Sequence, residues 1–299
     1  GVWNYHRITK CILYSFYKNV LLQLHQFWFS PLNLFSGQNL FDRWCLAYYN
    51  AIFTMLPPFA LGIFERPYSY KHLAMNPSIY QNCQSGRLFG SRKFILCIGN
   101  ACYHSLAIYF LTSNITEHGT FNGKTGYSYG LTWIGNLVFF NTVNVVTVKA
   151  LLDSTVYTVY HFWLIVTSPA LWFATLSIYS NIFPESYFGN GIMSGQSTNL
   201  FASVVFWMSG ILVPTFVCMP DFMWKIWQQV VLTQKELAMV GSSMSNTSLE
   251  KGEDNKNHNT EEDEIVINAS CPSPNRAYDL NLNPTTNSRE LQGLVNQRK

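Results

Sequence analysis

Lys18 and Asn19 stand near the middle of an apolar stretch, Ile8 to Phe29, whose length suffices to cross a bilayer, a spanning helix needing ~20 mostly apolar residues. An ammonium at that depth costs roughly 2.5–3.5 kcal/mol on insertion scales, and such groups default to functional sites. At the helical period Ser15, Lys18, Asn19, Gln23 and Gln26 fall on one stripe, with Ile12, Leu13, Val20, Leu24 and Phe27 outside it. Lipid cannot satisfy a polar stripe, so it faces protein or water. A structural lysine or one snorkelling to an interface is the competing reading, although Lys18 lies deep for snorkelling. A second constellation sits in the next apolar segment. Pro57 and Pro58 cannot donate to the carbonyls of Phe53 and Thr54, so the backbone is expected to kink there. Asn50 and Thr54, four residues apart, are expected on one face beside those freed carbonyls. Broken helices at the membrane midplane line cavities, which is how transporters build substrate sites; a purely structural kink is the alternative. The chemistry on offer is charge and hydrogen bonding along a polar path. No phosphate-binding glycine loop, catalytic triad or metal constellation occurs, so no catalytic residue and no metal ligand is assigned.

The elements that must hold these groups are helices in a membrane. Charged residues make up 12% of the 299 and hydrophobic ones 48%, against a usual charged share of ~25%. Six apolar segments follow one another at about 8–29, 44–63, 94–112, 131–152, 159–181 and 201–224. The predicted fold is all-α, a six-span domain over 1–228 followed by a cytosolic, mostly disordered tail over 229–299. Residues 1–228 hold twelve Lys/Arg and six Asp/Glu, and the tail seven and ten. His6, Arg7 and Lys10 precede the first segment, and the loop from Glu65 to Lys93 is basic. The alternate loops 30–41, 113–130 and 182–200 hold a single Lys or Arg, Lys124. By the positive-inside rule both termini and the 65–93 loop are cytosolic, and Asn114-Ile115-Thr116 is a sequon on the outer side, abutting the third span. The seven cysteines lie mostly in or beside apolar segments without a CxxC pair, which argues against a disulfide framework or zinc. There is no carbonyl-filter motif and no arginine-rich voltage helix, and nothing points to nucleic acid. Asn136, Asn141, Asn144 and Thr147 read as interhelical hydrogen-bonding groups, and the prolines at 169 and 214 as packing bends. From Val230 onward apolar periodicity ends in a polar, Ser-, Asn- and Glu-rich run, expected to be disordered. The chain starts with Gly just before a helix and reads as a fragment.

Trp3-Asn4-Tyr5-His6-Arg7 followed by Phe16-Tyr17-Lys18-Asn19 resembles the start and middle of the fifth transmembrane helix of phospholipid-translocating P-type ATPases, the lipid flippases. The resemblance continues through Phe41-Asp42-Arg43-Trp44, Tyr49-Asn50, Leu61-Gly62-Ile63-Phe64, Asn122-Gly123-Lys124-Thr125, Gly135-Asn136, Lys149-Ala150, Ala170-Leu171-Trp172-Phe173 and Pro220-Asp221. It covers residues 1–228 in order. The Asn-Gly-Lys-Thr loop and Met193-Ser194-Gly195 look most like the aminophospholipid-transporting subgroup, while the tail lacks that subgroup's aromatic inhibitory motif apart from an echo in Ala277-Tyr278-Asp279.

This resemblance implies that the six spans are family helices five to ten. The rest of a longer parent would supply the nucleotide-binding, actuator and phosphorylation domains, with ATP and Mg2+ as cofactors there; the fragment alone would not hydrolyse ATP. It implies movement of phosphatidylserine, with phosphatidylethanolamine second, from the outer to the cytosolic leaflet, and a two-span glycosylated accessory subunit. The membrane would be Golgi, endosomal or plasma membrane. Lys18, Asn19, Asn50 and Thr54 form the expected lipid path, Lys18 meeting phosphate or carboxylate. Two other classes compete: a truncated, non-transporting scaffold that binds the accessory subunit, and an unrelated six-span channel.

Overall fold

The computed structural model of the chain describes residues 1–68, 70, 73, 80, 89–118, 130–182 and 195–253. Cys83, Asn122–Thr125, Met193, Ser194, the acidic run 261–264, Cys271 and Ala277–Asp279 lie outside the described residues. Every described element is helical: α1 (Val2–Leu32), α2 (Arg43–Tyr48), a π-turn (Tyr49–Phe53), α3 (Leu56–Phe64), α4 (Ser91–His118), α5 (Leu131–Asp153), α6 (Val159–Ile182), α7 (Gln196–Phe201) and α8 (Val204–Glu253). Five stretches are long and apolar enough to cross a membrane: Arg43–Phe64, Ser91–Thr116, Leu131–Asp153, Val159–Asn181 and Val204–Gln234. The expected first span, α1, has the length at 31 residues but is not one of the five. Lys10, Lys18, Gln23, His25 and Gln26 dilute its apolar character.

Contacts divide the chain into two units, one of Gly1–Pro67 with Met75–Trp224 and one of Tyr68–Ala74 with Lys225–Lys299. In the first unit α5 is the centre. Its apolar window is 72% buried, whereas those of the other four spans are 25–33% buried. Helix α1 packs on α3, α4 and α5, and α6 packs on α3, α5 and the π-turn. The seam is aromatic. Phe139 of α5 receives Phe41, Tyr49 and Phe53 at ring centroid distances of 5.6, 5.8 and 5.6 Å, all edge-on, the geometry that ring quadrupoles favour. One residue on, Phe140 meets Trp172, Phe173 and Phe206 at 4.9–5.2 Å.

Two of the polar residues expected to link α5 to its neighbours, Asn141 and Asn144, make such bonds. Asn141 Nδ2 donates to Thr112 Oγ1 of α4 at 3.2 Å and Asn144 Nδ2 to the Gly210 carbonyl of α8 at 3.4 Å. Asn136 and Thr147 donate to carbonyls of their own helix, Thr132 and Val143.

Helix α8 runs on beyond residue 228, and residues 254–299 lie outside the described residues. In the second unit the described chain stays helical to Glu253, although apolar periodicity ends at Val230. Periodicity reports a buried face, whereas helix formation also follows intrinsic propensity. Gln228, Gln229, Lys235, Glu236, Leu237, Ala238 and Met239 are good helix formers and no proline interrupts them.

Gly135 carries a specific packing requirement. A Cβ added there would lie 2.2 Å from the backbone oxygen of Leu40, so the 33–42 connection rests directly on α5. Gly135→Ala is expected to destabilise the fold by roughly 1–3 kcal/mol or more, the scale of core overpacking. Gly62→Ala, with nothing within 4 Å of its new Cβ, is the control and should be neutral or mildly stabilising on helix propensity. Unfolding of the two variants in detergent, followed side by side, checks this.

Candidate functional site

The second span is divided as the prolines require, but with a geometry that the sequence did not disclose. Asp42 caps α2, its carboxylate accepting the Trp44 N–H at 2.9 Å. The helix then widens: Thr54 N–H donates to the Tyr49 carbonyl at 2.9 Å, closing a five-residue π-turn. Thr54 itself leaves helical geometry (φ −121, ψ 23). Pro57 sits in the first turn of α3, where a missing N–H has no helical partner to lose. Pro58 leaves the Thr54 carbonyl without its i+4 donor.

Lys18 supplies that donor. Its Nζ donates to Thr54 O at 3.0 Å and to Thr54 Oγ1 at 2.9 Å. Thr54 Oγ1 in turn donates to Tyr49 O at 2.7 Å, and Tyr49 Oη donates to Lys18 O at 3.0 Å. The Tyr49 ring lies 5.7 Å from Nζ, within cation–π range. Lys18 is 5% exposed, and Tyr49 and Thr54 are fully buried. Among the described residues no carboxylate lies within 4.0 Å of the Lys18 ammonium, which is held by neutral oxygens and a ring. An ammonium has three donors, so two hydrogen bonds leave one N–H for a ligand.

Of the four sequence-predicted path residues, the structure therefore brings Lys18 and Thr54 together and leaves Asn19 and Asn50 apart from them. Asn19 and Asn50 are exposed. The expectation that Asn50 and Thr54 share a face is corrected by the π-turn, whose wider repeat places Tyr49, not Asn50, over Thr54. The α1 stripe likewise splits, with Lys18 turned inward and Asn19 and Gln23 outward.

A second polar network escaped sequence reasoning. Tyr17 Oη is 2.5 Å from His104 Nδ1 on α4, and His104 Nε2 is 3.5 Å from Asp221 Oδ2 on α8. The same carboxylate oxygen is 2.7 Å from Lys149 Nζ, which also reaches Asp153 Oδ1 at 3.2 Å. Asn100 Nδ2 lies 3.2 Å from both Asp221 oxygens. At the α5 C-terminus Lys10 donates to Asp153 O at 2.9 Å and pairs with the buried Glu65 carboxylate, which accepts Thr155 Oγ1 at 2.6 Å. Arg7 adds a bond to Glu65 O at 2.7 Å. The available signal was ionisable residues at membrane depth: Lys149 and Asp221 enter the sequence reading only within motifs of the family resemblance, and His104 not at all. Among the described residues no group of three or more His, Cys, Asp or Glu side chains is arranged to hold a metal ion.

A family described as phospholipid-translocating P-type ATPase C-terminal matches residues 1–234. Phospholipid-transporting ATPase tat-1 of Caenorhabditis elegans is 34% identical over 247 residues, 80% of this chain and 21% of the relative. Phospholipid-transporting ATPase C887.12 of Schizosaccharomyces pombe is 36% identical over 225 residues, 75% of this chain and 18% of the relative. Phospholipid-transporting ATPase DRS2 of Saccharomyces cerevisiae is 33% identical over 235 residues, 77% and 17% of the two chains. This chain thus spans about a fifth of the length of the curated relatives it matches. With its apolar helices and its broken second span, it belongs to the phospholipid-translocating P-type ATPase C-terminal family.

Proposed function

We propose that this chain is the C-terminal membrane portion of an ATP-driven lipid flippase, six spans with both termini cytosolic. It moves aminophospholipid, phosphatidylserine first and phosphatidylethanolamine second, from the outer to the cytosolic leaflet. The observation that carries the reading is Lys18: a buried ammonium that, among the described residues, has no carboxylate within 4.0 Å and one donor without a partner, held against a helix break. A lipid phosphate or serine carboxylate supplies the missing counter-charge, by the charge-assisted bonding that ammonium groups offer anions. Asn19, Gln23 and Asn50, exposed on α1 and the π-turn, give a passing headgroup hydrogen-bonding partners outside the buried pair.

ATP hydrolysis and Mg2+ belong in this reading to the rest of a longer parent. The described residues offer no acidic cluster for the metal, and no step proposed for them runs through it. A two-span glycosylated subunit is the proposed partner, and a Golgi, endosomal or plasma membrane the proposed location. The test is transport by the full-length ATPase, co-expressed with its accessory subunit and reconstituted in liposomes. ATP should drive fluorescent phosphatidylserine across the bilayer well ahead of phosphatidylcholine. ATP-independent movement, or equal rates for both lipids, refutes the transport reading or its headgroup choice respectively.

A further inference from the structure

We propose that Tyr49 is the positioning residue of the lysine site: it sets the place and orientation of the Lys18 ammonium so that its third N–H is free for an anion. The proposal rests on the flippase reading only for the identity of that anion. Four hydrogen bonds close a ring through three residues: Lys18 Nζ to Thr54 O and Oγ1, Thr54 Oγ1 to Tyr49 O, and Tyr49 Oη back to Lys18 O. Each part has a separate effect. The Tyr49 carbonyl accepts both the amide and the hydroxyl of Thr54. The single hydroxyl proton of Thr54 is thereby committed to Tyr49, and its lone pairs turn to Lys18. The Tyr49 hydroxyl ties the π-turn to the backbone of α1 at the lysine itself, which fixes the register between donor and acceptors. The ring covers one side of the ammonium at 5.7 Å without consuming a donor, since a cation–π contact takes no N–H. The remaining N–H has no partner among the described residues.

Tyr49 is buried with no exposure and packs edge-on against Phe139, so the hydroxyl and the ring must be separated experimentally. Tyr49→Phe keeps the ring, and the Lys18 carbonyl retains its place in the α1 hydrogen-bond ladder, so no buried group is orphaned. The measurement is the rise in unfolding midpoint that phosphatidylserine, added to mixed detergent micelles, gives the purified full-length ATPase, compared with phosphatidylcholine and with inorganic phosphate alone. In wild type the midpoint should rise with phosphatidylserine. In Tyr49→Phe the apparent affinity for that lipid should fall roughly 3- to 10-fold, the scale of one hydrogen bond, with yield unchanged and the lipid response read relative to each variant's own lipid-free midpoint. In a Lys18→Met background the same substitution should change nothing further, because the group it positions is gone. A response to inorganic phosphate equal to that of the lipid would show that the site reads the anion alone and leaves Tyr49 in its role.

Equal lipid responses in wild type and Tyr49→Phe, or equal losses with and without Lys18, overturn the positioning role. No phosphatidylserine response in wild type overturns it as well, since there would be no anion to position for. A lipid response that depends on Tyr49 without ATP-driven transport refutes the flippase reading and leaves the positioning role standing.

Discussion

Lys18→Met is expected to weaken lipid-stimulated ATP hydrolysis by the full-length protein by roughly 1–3 kcal/mol, about 5- to 150-fold, the scale of a charge-assisted hydrogen bond. Methionine keeps an unbranched apolar stem, so the cavity filled by the lysine is largely conserved. What is lost is the cation that donates to Thr54 O and Oγ1 and the donor left over for a ligand. Lys18→Arg retains the charge but presents a larger, planar head, which fits two oxygens of one residue poorly, and should reduce lipid affinity less than Met does. Phosphorylation by ATP should survive both changes, and lipid-triggered dephosphorylation should not. If Lys18 were only a structural donor to the broken span, its loss would orphan the Thr54 carbonyl and lower yield in every state alike. Specific activity per folded molecule, plotted against yield, separates the outcomes. Unchanged lipid stimulation in Lys18→Met removes the lysine from the transport path.

Asp221→Ala should markedly destabilise the first unit. The Asp221 carboxylate lies within hydrogen-bonding or ion-pair distance of Lys149 on α5, Asn100 on α4 and His104 on α4, and its side chain is only 17% exposed. Removing one partner of a buried pair typically costs 3–5 kcal/mol, because the other charge stays behind. Lys149 retains Asp153, whose side chain is 41% exposed, so a loss of about 3 kcal/mol is expected. The double change Lys149→Met with Asp221→Leu should recover much of it, since replacing both charges by apolar groups of similar size is often close to neutral. Detergent unfolding of Lys149→Met, Asp221→Leu and the double variant forms the cycle. Additive losses would mean that Lys149 and Asp221 do not act as a pair.

The two networks differ in how far the sequence exposed them, for a physical reason. Lys18 and Thr54 were legible because each breaks a local rule: a charge inside an apolar run, and a carbonyl left open four residues before a proline. Asn19 and Asn50 were placed with them by assuming an ideal 3.6-residue repeat, and the π-turn invalidated that assumption on the second span. No local pattern announces a π-turn, because it is stabilised by partners 31 and 36 residues away in sequence, at Lys18. The His104–Asp221–Lys149 cluster joins three helices separated by long connections, so only the presence of its members, and not their meeting, could be read. The apolar segments were the easiest feature, since period and length are local. The helical continuation from Val230 to Glu253 was not legible, because apolar periodicity, the signal used for the spans, ends at Val230.

The π-turn also stores one residue more than an α-helical path between the same points would need. Deleting a residue within Tyr49–Phe53 would let the span close as ordinary α-helix. The change would be absorbed by turning Arg43–Tyr48 through about 100° and drawing it ~1.5 Å along the axis. The same deletion in α5 would rotate all that follows out of its contacts, carrying Asn141 away from Thr112 and Val145 away from Cys218. Length variation is therefore tolerable to the bundle at this break and not in its central helix. The site would not tolerate it: the bond from Thr54 N–H to Tyr49 O spans five residues, and a four-residue turn would place a different side chain opposite Lys18. A chain one residue shorter here would keep its fold and lose its lysine clamp.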